Sequence, residues 1–257
     1  MRKVLFAILL VAPLASWAVT PCKFEAARNL QLDLDGVRGV QIDVHSRDLH
    51  LSGSDAGKNF SLTGKACASS QDVLDTLQVT QRREGDQLLI DLGSRSQTSF
   101  RLFGGRTHSS LDVTVQMPSN LPVTVRVGSG DADIRAMQQV RSIVGSGDLH
   151  VRDVPGKVVA SVGSGDIDVS QVGSLDLGSV GSGDFNGDGI KGDVRIGSIG
   201  SGDVSLRRVG GSVHADTLGS GDLEVTDVGG DFRLGAKGSG DVNHAGVKGK
   251  LDIPRRD

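Results

Sequence analysis

Tyrosine is absent from the 257 residues, tryptophan occurs once, at Trp17, and only seven phenylalanines are present. Aromatic platforms for sugars or bases are therefore scarce, as are the aromatic anchors of most protein interfaces. This weighs against a lectin, a polysaccharide lyase and a single-strand nucleic-acid binder. No apolar run beyond residue 18 reaches eighteen residues, so no transmembrane segment is expected in the mature chain. Only two cysteines exist, Cys22 and Cys67. In an exported chain such a pair predicts one disulfide tying the mature N-terminus to the first domain, which leaves no thiol for zinc. The six histidines, at 45, 50, 108, 150, 214 and 244, have no metal-ligand spacing, and neither a Ser-His-Asp nor a phosphate-loop context occurs.

What is present begins with a leader. Residues 1–18 read as a secretory signal peptide: Arg2 and Lys3, an apolar stretch from Val4 to Val11, a break at Pro13, and the small-x-small ending Ser16-Trp17-Ala18. The protein is thus expected to be exported, to the periplasm or the cell surface. Val19-Thr20-Pro21 before Cys22 does not form the small-residue pattern of a lipoprotein signal. Loss of Arg2 and Lys3 takes the formal charge from −3 to −5. Residues 128–257 hold 14 Lys/Arg against 19 Asp/Glu, whereas residues 19–127 hold 12 of each, so the excess is a localised acidic edge. That distribution argues against nucleic acid as a partner.

The second half is organised by the tetrapeptide Gly-Ser-Gly-Asp. It recurs seven times, with aspartates at Asp131, Asp148, Asp166, Asp184, Asp203, Asp222 and Asp241, spaced 17, 18, 18, 19, 19 and 19 residues apart. A near-fixed period marks stacked coils. The residue after each Asp is apolar (Ala132, Leu149, Ile167, Phe185, Val204, Leu223, Val242), and so are most of those two further on, which is the period of a short strand. Six residues past each Asp stands an aliphatic or Met: Met137, Val154, Val172, Ile190, Val209, Val228 and Val247. A second strand follows, inward-facing at pairs such as Val194/Ile196 and Val213/Ala215. The fold expected is all-β, a parallel β-helix with two strands per coil of 18–19 residues over 128–257. Glycine suits the corner because it adopts φ > 0 and lets backbones approach closely.

Residues 19–127 are strand-rich but lack that signature, and are expected to form irregular coils or a covering sheet with one short helix. Leu49 to Ser54 resembles a degenerate corner. Ser69-Ser70-Gln71-Asp72 signals the start of the helix, with Val73, Leu74 and Leu77 on its apolar side. Leu77 to Leu92 reads as a hairpin about Glu84-Gly85-Asp86, and two strands flank Pro118-Ser119-Asn120. Gly93 to Ser110, with Arg95, Arg101, Arg106, Phe100 and Phe103, is a contact loop or a flexible insertion. Pro254-Arg255-Arg256-Asp257 suits a cap that discourages further strand pairing.

Seven carboxylates stacked at coil spacing repel one another unless each receives N–H or hydroxyl donors, or unless cations lie between them. Calcium is the cofactor to weigh, because glycine-aspartate nonapeptides build calcium-binding β-rolls. Here, however, the repeat is twice as long and Gly165-Asp166 are adjacent, so turn chemistry is the expected role and no cofactor is required. Catalysis has less support, because every motif Asp is repeated and a catalytic site breaks symmetry. Asn186-Gly187-Asp188-Gly189 does break it, but Phe185 is expected to fill the space that inward Gly187 leaves. No catalytic residue is assigned.

The run Met117-Pro118-Ser119-Asn120-Leu121-Pro122-Val123-Thr124-Val125, leading into Gly128-Ser129-Gly130-Asp131, resembles the auto-transporter adhesin family of the head-GIN type. It is similar also to the adhesin-like β-strand-repeat domains of bacterial envelope proteins. The resemblance spans residues 24–253 and implies a secreted β-helix with no catalytic residues to carry over. The function expected is a non-enzymatic, adhesin-like scaffold whose partner is a protein or cell-envelope component. A calcium-dependent structural module is the alternative, and a polysaccharide-active enzyme using Asp184 and Asp188 a remote one.

Overall fold

A computed structural model describes residues 22–55, 59–93 and 108–254. The leader, Arg95, Phe100, Arg101, Phe103 and Arg106 of the basic loop, and Arg255 to Asp257 of the tail lie outside the described residues. The first half contains β1 (Phe24–Ala27), β2 (Leu30–Leu32), β3 (Gly39–His45), β4 (Asp48–Ser54), β5 (Phe60–Ala68), α1 (Gln71–Thr76), β6 (Thr80–Glu84), β7 (Gln87–Asp91), β8 (Ser109–Pro118) and β9 (Val123–Val127). The repeats contain β10 (Asp131–Arg135), β11 (Val140–Val144), β12 (Leu149–Val162), β13 (Ile167–Val180), β14 (Phe185–Ile190), β15 (Val194–Ile199), β16 (Val204–Val209), β17 (Val213–Leu218), β18 (Leu223–Val228), β19 (Phe232–Lys237), β20 (Val242–Val247) and β21 (Leu251–Asp252).

These strands build a β-solenoid of about seven turns with two parallel faces. One face stacks β8, β4, β10, the first halves of β12 and β13, then β14, β16, β18 and β20. The other stacks β7, β3, β9, β11, the second halves of β12 and β13, then β15, β17, β19 and β21. The winding is not sequential in the first half, because the β3–β4 rung lies between β7–β8 below and β9–β10 above. At that end β5 runs antiparallel to β8, β1 and β2 antiparallel to β5, and β6 antiparallel to β7. The first half therefore supplies both coils and a cover. Cys22 and Cys67 are disulfide-bonded, with Cα atoms 5.5 Å apart, fastening the start of the described chain to β5. Ser70 caps α1 by accepting the Val73 N–H, and Leu74 and Leu77 are buried beneath it.

In β10, β16, β18 and the first strands between them, two residues turn inward, two are skipped and a third turns inward; the second half of β13, β15 and β17 do the same, whereas β11 and the second half of β12 simply alternate. In the coil of β16 and β17 these are Val204, Leu206, Val209, Val213, Ala215 and Leu218, all at most 2% exposed. Burying each Val or Leu side chain contributes about 1.5–3 kcal/mol, and stacking makes the contribution continuous. Simple alternation would turn the fifth residue after Asp inward and the sixth outward. The parity changes because the fifth residue is left-handed in all seven motif coils: Ala136, Asp153, Gln171, Gly189, Arg208, Asp227 and Gly246 have φ between 53° and 69°. That local kink is what brings Met137 and its six counterparts to the core.

Two sequence expectations need correction. None of the motif glycines has positive φ, so their role is close approach alone. A Cβ on the second glycine of any motif would lie 1.8–2.0 Å from the carbonyl oxygen one coil below, and on the first glycine 2.3–2.8 Å. Leu49 to Ser54 is strand, and the corner comes earlier, at His45 to Asp48. Leu251 in the last coil is 47% exposed, and the cap expected of the tail falls on Arg255 to Asp257, outside the described residues. The packing at Gly187 is as expected: a Cβ there would meet Leu206 Cδ2 at 2.8 Å and Phe185 Cε1 at 3.1 Å, and the Phe185 ring is fully buried.

Candidate functional site: the aspartate column and the faces beside it

The corner builds the column. The serine amide of each motif from Ser146 to Ser220 donates to the first glycine's carbonyl one coil below, at 2.7–2.8 Å, so the corners superimpose. The following aspartates must then stack along one edge. Each carboxylate accepts the amide of the next: Asp148 N–H to Asp131 Oδ1 (3.3 Å), Asp166 to Asp148 (3.3 Å), Asp184 to Asp166 (3.1 Å), Asp203 to Asp184 (3.1 Å), Asp222 to Asp203 (2.8 Å) and Asp241 to Asp222 (2.9 Å). Backbone dipoles thus answer the repulsion that the sequence poses.

Two members of the column were not legible as motif residues. Strand register places Asp48 beneath Asp131 and Asp112 beneath Asp48, so the edge carries nine aligned carboxylates. A signal was there: Asp48-Leu49-His50-Leu51 nearly repeats Asp148-Leu149-His150-Val151. Asp48 differs electrostatically from its neighbours above. Asp131 N–H donates to the Arg47 carbonyl at 3.1 Å, not to the Asp48 side chain. Desolvation, followed by the charges of Asp131 and Asp112, holds the Asp48 carboxyl above the usual aspartate range, with His50 and Arg47 opposing. Arg47 takes the place of a second glycine. Its Nε is buried with no hydrogen-bond partner, and burial pushes its pKa down.

A second ladder occupies the opposite corner, where Ser212 N–H donates to Asp193 Oδ1 (2.8 Å), Asp231 N–H to Ser212 Oγ (3.0 Å) and Lys250 N–H to Asp231 Oδ1 (2.7 Å). Its sequence sign is an Asp or Ser directly before the first inward residue of the second strand. On the outward faces, coil-to-coil pairs join Arg152 to Asp133 (3.0 Å), Lys157 to Asp176 (2.8 Å), His150 to Asp168 (3.1 Å) and Arg208 to Asp188. All are substantially exposed, and each is worth little in stability. His45, His50 and His150 point outward beside carboxylates, and no three-residue group of His, Cys, Asp or Glu among the described residues has a metal-holding arrangement. A recess of about 500 Å³ lies apart from the column, at the covered end, lined by Leu34, Val37, Leu121, Asn120, Asp55 and Gln138.

Residues 37–254, nearly the whole of the stack, match the family model described as Toastrack DUF4097. The chain belongs to the Toastrack family. Comparison with curated proteins gives no match. Among solved structures, this Toastrack chain is similar to a proposed lipid-binding protein from Parabacteroides distasonis ATCC 8503, at 15% identity and TM-score 0.50, covering 90% of this chain and 98% of that one. It is similar also to a proposed adhesin from Bacteroides fragilis NCTC 9343, at 13% identity and TM-score 0.48, covering 91% and 99%. The first likeness bears on the Toastrack fold alone. No helix among the described residues is long and apolar enough to cross a membrane.

Proposed function

We propose that this Toastrack protein is an exported, non-enzymatic display scaffold of the bacterial envelope, with an adhesin-like role akin to that of the head-GIN proteins its repeats resemble. The observation that carries the reading is the division of labour between rows of the stack. Inward rows are apolar apart from Ser142 and, in the last coil, His244, and the aspartate column is bonded to backbone, so both belong to the scaffold. The outward rows vary freely at fixed spacing. One runs Arg141, Val159, Asp176, Arg195, His214 and Arg233 up the second face. A rigid array of changeable exposed side chains is suited to contact and not to reaction, since chemistry needs a local departure from the repeat.

The disulfide and the expected leader support export. The similar Parabacteroides distasonis protein carries the name of a contact protein, a lipid-binding protein, which accords with this reading. The test is affinity capture from envelope extract with the full protein, repeated with Arg195→Glu/Arg233→Glu. A specific protein or glycolipid that is retained by the first and lost with the second supports the reading. Retention of nothing above a control solenoid, or turnover of an envelope polymer that Asp184→Asn/Asp188→Asn abolishes, would overturn it. Fractionation for a mature chain starting near Val19 tests the location.

A further inference from the structure

The C-terminal coil departs from those below it. Val242 and Val247 are only half-buried, His244 stands where lower coils mostly place an aliphatic, and Leu251 is 47% exposed. Among the described residues no strand pairs with the upper edges of β20 and β21, and nothing there corresponds to the antiparallel cover at the other end. The charges of this last rung are ordered. One corner ends in Asp241, the last carboxylate of the column, to which no amide of the described residues donates. The opposite corner is Lys248-Gly249-Lys250, where the three coils directly below end in Asp193, Ser212 and Asp231.

We propose that this end is a self-association surface through which two copies of the chain meet head to head across a two-fold axis. An axis in the plane of the rung makes the strand pairing antiparallel however it is oriented. If it runs along the strands, each corner meets its own copy, with Asp241 against Asp241 and lysines against lysines. If it runs across them, from face to face, β20 lies on its copy with Asp241 opposite Lys248 and Lys250. Charge opposes the first arrangement and favours the second. The second also covers Val242, Val247 and Leu251 and satisfies the unpaired edges of β20. Head-to-tail growth is blocked, because the other end presents antiparallel β1, β2, β5 and β6 in place of a parallel rung. The association therefore closes at two copies.

Light scattering on the full protein across a concentration series tests this. The expected result is a dimer that K248E/K250E converts to monomer and that D241K/K248E/K250E restores, since the triple variant reverses the sign of both sides of each contact. These side chains are exposed, and thermal melts confirm that each variant folds. Leu251→Glu, which changes no corner charge, is expected to give monomer as well. A monomer at every concentration, a dimer indifferent to K248E/K250E, failure of the triple variant to restore it, or masses that keep rising with concentration would each overturn the proposal.

Discussion

The backbone amide of Asp184 donates to Oδ1 of Asp166, one coil below, at 3.1 Å. One residue of the repeat thereby begins a strand and also anchors the next coil. Charge that would push the coils apart is held against the positive end of an N–H dipole. Asp166→Asn retains an acceptor and sheds a charge, so its stability is expected to match or exceed that of the parent. Asp166→Ala leaves the Asp184 amide without its partner and is expected to cost about 1–2 kcal/mol. Millimolar calcium is expected to leave the melting temperature of all three proteins unchanged, because the amides already serve the carboxylates. A calcium-dependent module would instead lose a calcium-induced rise in melting temperature in Asp166→Asn.

Close approach of the corners makes a sharper prediction at Gly202. A Cβ there would stand 1.8 Å from the Gly183 carbonyl oxygen, against 2.7 Å from the Gly181 carbonyl oxygen for one at Gly200. Gly202→Ala forces the backbones apart and is expected to cost about 3 kcal/mol or more, clearly exceeding Gly200→Ala. Urea melts of the two variants rank them.

Ala136 holds φ = 55° at the kink where two other coils have Gly189 and Gly246. Ala136→Gly removes the left-handed penalty and is expected to stabilise by up to about 1 kcal/mol, whereas Ala136→Val destabilises by more than that. Opposite shifts in melting temperature are the signature. Loss in both variants would mean that the side chain and not the dihedral angle matters.

Asp48 predicts a pH dependence of definite sign. Its folded-state pKa is raised, by desolvation first and by Asp131 and Asp112 next, so its charge opposes folding above that pKa. The opposition fades as pH falls toward the unfolded value near 4. Asp48→Asn is expected to melt higher than the parent at pH 7, with the difference vanishing below about pH 4.

Ser142 faces inward at a position where neighbouring rungs place Val125 and Ala160, and its buried Oγ has no hydrogen-bond partner. Ser142→Ala removes a desolvated hydroxyl with little change of shape. It is expected to stabilise by about 1 kcal/mol, read as a higher denaturation midpoint at unchanged slope.

The repeat made much of this legible. Period, strand alternation and the invariant apolar sixth position follow from the sequence, because a short strand can bury its apolar side only by stacking, and equal spacing dictates what stacks on what. The aspartate column followed for the same reason, as did the Phe185–Gly187 compensation, since both concern residues at equivalent positions of adjacent coils. Tertiary structure alone decided the rest. Only the pairing of β4 with both β8 and β10 brought Asp112 and Asp48 beneath Asp131, because the chain leaves β4, builds the cover and returns before the regular winding starts. Only the backbone showed that the left-handed residue is the fifth after Asp and not the glycine. A sequence records that something small is needed, but the carbonyl it must make room for, and the kink that turns the sixth residue inward, exist only once the coils are stacked.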